Sequence, residues 1–128
     1  MKALTLWQPY AKAIELGLKQ FETRSWSTKY RGWLAIHSSI KPLSREYEQL
    51  AGKYGIKDLD FGKISVVCKL EDCILMTREF IDAQPRTEIE WGDWQPGRFA
   101  WKLSEIKVLD TPVSAKGRQG LWNAEIRF

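Results

Sequence analysis

The sequence predicts an α+β fold, a small β-barrel of about six short strands flanked by two main helices, in a single domain over residues 1–128. Three observations predict it. Short runs of alternating apolar and polar residues recur along the chain, the period of half-buried strands. Two other stretches carry apolar residues at helical spacing. Strand-like runs outnumber helical ones with no βαβ rhythm, which argues against a doubly wound parallel sheet. At 128 residues, 44% hydrophobic and 28% charged, the chain can bury a real core and has the composition of an ordinary soluble globular protein.

The first strand is expected over Ala3–Leu6, and Pro9 then sits where a helix tolerates proline, at its first position. The helix runs to about Leu16, with Tyr10, Ala13 and Ile14 on one stripe and Gly17 as a left-handed stop. That turn delivers Lys19 to the entry of a second strand. In it Phe21, Thr23 and Ser25 alternate with Glu22, Arg24 and Trp26, so Glu22 and Arg24 share a face about 7 Å apart. Arg31-Gly32 reads as a turn, followed by a strand with Trp33, Ala35 and His37 on one side and Leu34 and Ile36 on the other.

The second helix follows Pro42, capped by Ser44 and stopped by Gly55. Lys63–Leu70 alternates, with Ile64, Val66, Cys68 and Leu70 inward. Thr77–Ala83 can form a short helix, and Gln84–Gly97, with two prolines, two tryptophans and several acids, reads as a long loop. Three further strands are expected at Phe99–Leu103, Ile106–Val113 and Ala124–Phe128.

Charge is segregated along the chain. Lys19–Arg45 holds six cations against one acid, whereas Glu71–Asp93 holds two against seven, within a net charge of +4. A chain polarised in this way can offer a basic face to a polyanion. The stretch from Lys19 to Ser39 interleaves Lys19, Glu22, Arg24, Lys29 and Arg31 with Trp26, Tyr30 and Trp33, a mixture suited to phosphate contact and base stacking. The same pattern also fits amphipathic strands with solvated charges. With one histidine, two cysteines lacking zinc-type partners and no Gly-rich phosphate loop, neither a metal nor a cofactor is expected. Cys68 and Cys73 fall on opposite faces of an uninterrupted strand and read as reduced thiols. No apolar run approaches the roughly 20 residues of a membrane span. The N-terminus lacks a signal peptide's apolar core, so a cytoplasmic protein with no membrane partner, monomeric by default, is expected.

The segments LTLWQPYAKAIELGLKQFETRSW, YRGWLAIHSS, GRFAWKL and KGRQGLWNAEI, in this order, resemble the ASCH family of the PUA-like superfamily. The resemblance implies a barrel with a cleft beside the first helix and a role in RNA or DNA binding, in some members with handling of modified bases. Residues matching the family pattern are Trp7, Gln8, Pro9, Gly17, Lys19, Glu22, Arg24, Ser25, Trp26, Arg31, Gly32, Gly120, Leu121 and Trp122.

The favoured reading is a binding module for RNA or another single-stranded nucleic acid, with DNA as a further possibility. The expected binding residues are Trp7, Gln8, Lys19, Glu22, Arg24, Ser25, Trp26, Arg31, Lys116, Arg118 and Trp122. The alternative is a metal-independent hydrolase of a modified nucleoside, similar to a family branch that deacetylates N4-acetylcytidine, with Lys19 and Glu22 as catalytic residues. That branch carries a threonine three positions beyond its lysine. Here that position is Glu22, and the nearest threonine, Thr23, is expected on the opposite face. A ribonuclease, implied by other relatives, is a third reading.

Overall fold

The computed structural model describes residues 1–127. Six strands form one mixed sheet: β1 (Lys2–Leu6), β2 (Phe21–Arg24), β3 (Gly32–Ser38), β4 (Lys63–Leu75), β5 (Phe99–Ser114) and β6 (Leu121–Asn123). Their order is β2-β5-β4-β3-β1-β6. The β1–β3 pair is parallel and the other four pairs are antiparallel. The helices are α1 (Tyr10–Glu15), α2 (Arg45–Lys53), α3 (Arg78–Asp82) and α4 (Arg86–Glu90). The α+β class is as the sequence indicates, but the barrel is not: no ladder joins β2 to β6 among the described residues, so the sheet keeps two edges.

Apolar residues cover both faces of the sheet. Leu4, Leu6, Leu34, Ile36, Val66, Cys68, Leu70, Trp101 and Leu103 pack beneath Ala11 and Ile14 of α1. Ala3, Ala35, Ile64, Val67 and Ala124 form the opposite cluster. Ile64 therefore lies on the other face from Val66 and Cys68, contrary to the strict alternation expected. The β4–β5 register shifts between Ile64 and Val66, and such an irregularity resets which face the next side chain takes.

Helix ends follow their local chemistry. Gly17 adopts φ 78°, and the Leu18 N–H then returns to the Ala13 carbonyl at 2.9 Å, turning the chain so that Lys19 enters β2. The Ser44 hydroxyl accepts the Tyr47 N–H at 3.2 Å and starts α2. Thr77 does the same for α3 through the Phe80 N–H.

Three sequence expectations change. The run 84–97 is not wholly loop, because Pro85 precedes the single-turn helix α4, too short to show a period. The two strands expected across 99–113 are one, β5, which continues through Glu105 at φ 49° with irregular pairing to β4. The last strand, β6, lies at Leu121–Asn123, before the predicted segment, because β1 offers partners only as far as Lys2 opposite Asn123. Residues 124–127 are not strand, and Phe128, at the end of that segment, lies outside the described residues. Both cysteines are free thiols.

Candidate nucleic-acid interface

A cleft of about 330 Å³ opens beside α1, where the end of β1, residues 22–24 of β2 and the segment after α4 converge. Its lining includes Thr5 and Trp7 from the β1 end, Tyr10 from α1, and Lys19, Glu22, Thr23 and Arg24 from the β2 region. Tyr47 of α2 and Gly92, Asp93 and Arg98 complete it.

At its base lies a chain of three ionisable groups. Lys19 is 1% exposed, and its Nζ donates to the Trp91 carbonyl at 2.5 Å and stands 3.3 Å from Glu22 Oε1. The other oxygen, Glu22 Oε2, accepts from Arg24 Nε at 2.9 Å and lies 2.9 Å from Nη2. Arg24 Nη2 also donates to the Thr5 carbonyl at 3.2 Å. A buried ammonium costs several kcal/mol unless paired, and here a carboxylate and a carbonyl together hold it. The alternation that sets Glu22 and Arg24 on one face is what joins them.

Aromatic groups wall the cleft. The Tyr10 ring stands edge-on to Tyr47 at 5.3 Å and to Trp91 at 5.8 Å, with Lys19 Nζ 5.5 Å from its centroid. Burial, followed by the hydrogen-bonded Tyr47 phenol and the Glu22 and Asp93 carboxylates, pushes the Tyr10 hydroxyl up to about 12. Trp7 is 47% exposed and carries Lys41 Nζ over its ring at 3.3 Å.

The segment after α4 holds the far wall in place. Both oxygens of buried Glu88 accept the Gln20 N–H, and Oε1 also accepts the Phe21 N–H, at 2.9–3.1 Å. This fixes the start of β2 against α4. Thr23 Oγ1 accepts the Asp93 N–H at 3.0 Å, and a Cβ on Gly92 would come within 2.8 Å of Thr23 Cγ2, so only glycine lets this turn close on the strand. Thr23 thus lines the same cleft as Glu22, against the expectation from alternation, because β2 is an edge strand and the 91–94 turn wraps its open side.

The predicted residues separate into groups. Trp7, Lys19, Glu22 and Arg24 meet in the cleft. Gln8 does not line it: its side chain is buried, donates to the Asp60 carbonyl at 2.8 Å and accepts the Lys12 N–H at 3.0 Å, tying the start of α1 to the loop before β4. Ser25 and Trp26 lie beyond the end of β2, where the alternation that would aim Trp26 into the cleft has stopped. Trp26 instead sits edge-on to buried Trp101 at 4.8 Å. Arg31 is exposed, bonded to the Thr28 and Tyr30 carbonyls and 3.6 Å from Asp72. Lys116 and Arg118 line a neighbouring pocket, and Trp122 donates to Thr5 Oγ1 at 3.1 Å beneath it.

Sequence reasoning missed Thr5, Tyr10, Tyr47, Gly92, Asp93 and Arg98. Tyr10 was absorbed into the stripe of the first helix. The dense WGDW turn at 91–94 was the available signal for Gly92 and Asp93. Among the described residues no cluster of three or more metal-binding side chains is present, and no helix is long and apolar enough to cross a membrane.

The chain matches the ASCH domain profile over residues 4–115. It is 29% identical to human Activating signal cointegrator 1 and 28% identical to the mouse protein of that name, over 98% of this chain in each case. It spans only 22% of the length of either relative. The crystal structure of ASCH from Zymomonas mobilis superposes with a TM-score of 0.65 over 97% of this chain and 87% of that one, at 15% identity, a likeness of fold.

Proposed function

The chain belongs to the ASCH domain family, and from that premise we propose that it is a nucleic-acid-binding domain whose cleft seats an unpaired base or modified nucleoside of a single strand, RNA foremost. The observation that carries this reading is the Lys19–Glu22–Arg24 chain at the base of an open cleft whose rim bears an exposed tryptophan. Bases splayed from a single strand are recognised by stacking on aromatic rings and by hydrogen bonds to their edges. Trp7 offers the ring, while Arg24 and the Tyr10–Tyr47 phenols offer the polar edge. The cleft volume lies at the lower end of the range for small-ligand sites, in keeping with one base rather than a folded element.

The hydrolase reading has less support. A nucleophilic lysine needs its nitrogen free to reach the substrate, yet Lys19 Nζ is buried, donates to the Trp91 carbonyl and stands 3.3 Å from Glu22. Thr23, the hydroxyl nearest in sequence, already accepts the Asp93 N–H.

The test is a titration of the protein with single-stranded RNA, repeated with Trp7→Ala. Loss of about 1–3 kcal/mol of binding at unchanged melting temperature is expected for a stacking ring. Undiminished binding by the variant would refute the cleft. Incubation with N4-acetylcytidine runs alongside: acetate release abolished by Lys19→Ala would install the hydrolase instead.

A further inference from the structure

A second pocket, about 360 Å³, adjoins the cleft and shares Thr5 with it. Thr5 faces both. Its carbonyl accepts from Arg24 on the cleft side, while its hydroxyl meets Trp122 Nε1 at 3.1 Å and His37 Nδ1 at 3.2 Å on the other. His37 Nε2 lies 2.7 Å from the Ala115 carbonyl, which can only accept, so that nitrogen carries a proton, and Nδ1 is hydrogen-bonded with the Thr5 hydroxyl. The polar groups of the pocket floor are therefore satisfied by one another. Gly117 lies directly on it, since a Cβ there would come 2.9 Å from His37 Cε1 and 3.0 Å from Thr5 Oγ1. That close seating sets Lys116 and Arg118 at the mouth, both exposed.

The two sites differ in how their cations are compensated. In the cleft Lys19 and Arg24 are paired with Glu22, and Arg98 Nε stands 3.6 Å from Asp93. A phosphate entering there meets two carboxylates. No acidic residue lines the second pocket, and among the described residues Lys116 and Arg118 have neither an ion pair nor a hydrogen bond. Unpaired cations with no carboxylate beside them attract anions that paired ones do not.

Building on the base-binding reading above, we propose that the pocket at Lys116–Arg118 is the backbone phosphate site for the nucleotide adjoining the one in the cleft. One strand then crosses Thr5, its base in the cleft and its phosphodiester at the 116–118 loop. The division of labour is specific: the cleft recognises a base with little net charge transfer, and the second pocket supplies the counterion release.

The experiment compares the wild-type protein with the double variant Lys116→Gln/Arg118→Gln, titrated with free ribonucleosides and with a short single-stranded oligoribonucleotide over a salt series. Both side chains are exposed, so the fold is retained, which a melting curve checks. Loss of one single-strand phosphate contact makes the log–log salt slope for the oligonucleotide shallower by about 0.7, with nucleoside affinity unchanged. An unchanged slope overturns the proposal. Trp7→Ala in parallel separates this outcome from failure of the cleft: if Trp7→Ala binds the oligonucleotide normally while the double variant loses slope, the phosphate site stands and the base cleft falls.

Discussion

Lys19 is the residue on which the site depends, since an ammonium that is 1% exposed is tolerable only with its partners in place. Glu22→Ala removes one of them and leaves the charge facing Arg24 across the gap. We expect a loss of about 3 kcal/mol in a denaturant titration, the cost of breaking a buried pair from one side. A midpoint that does not move would mean the pair is solvated.

Tyr10, raised from 10.0 to about 12 mainly by burial, gives a pH dependence. Below pH 10 both folded and unfolded chains hold the proton. Between 10 and about 12 the unfolded chain ionises first, so stability falls as pH rises through that window. Cys68, raised by burial from 9.0 to about 12, acts in the same direction. Unfolding midpoints measured against pH fall less steeply above 10 in Tyr10→Phe than in wild type; parallel curves would mean Tyr10 is not buried as described. Glu22 and Arg24 could be placed together from strand alternation because both lie within one regular strand, and Lys19 only near them, at the strand entry set by the Gly17 turn. Tyr47 could not, since it reaches the cleft from a helix far away in sequence, and nothing in its local pattern marks it.

At the scale of elements, α4 acts as a support for β2. Glu88 gives its two oxygens to backbone N–H groups at the entry of an edge strand, a place where unpaired donors would otherwise be buried. Glu88→Ala should cost about 2–3 kcal/mol and weaken ligand binding as well, because Lys19 hangs from the same stretch. Stability lost with binding intact at low temperature would separate the two. Nothing in the residue pattern marks this arrangement, because α4 is a single turn among prolines and acids. The strands were more legible than their faces. The alternating runs at Ala3–Leu6, Lys63–Leu70 and Phe99–Val113 mark real strands, whereas residues 124–127 are not strand, and the bulges in β4 and β3 switch the face partway, where periodicity carries no record of a bulge. Trp26 illustrates the same limit, since its predicted face assumed that β2 continued two residues past its end at Arg24.

Over the whole molecule, sequence charge segregation translates only partly into a surface. The basic stretch disperses: Lys19 and Arg24 are paired within the cleft, Arg31 stands against Asp72, and Lys41 caps Trp7. The acidic stretch supplies Glu88 and Asp93 to the scaffold and rim of the same site. Net charge therefore does not locate a site on the surface, whereas the edge position of β2, beyond the reach of composition, is what leaves room for a cleft. The most direct test of the account is a backbone NMR titration of the protein with a short single-stranded RNA. The account predicts shift changes clustered at residues 5–7, 10, 19–24, 47, 91–98 and 116–118. Changes centred instead on the exposed far half of β5, residues 106–113, or absent altogether, would contradict it.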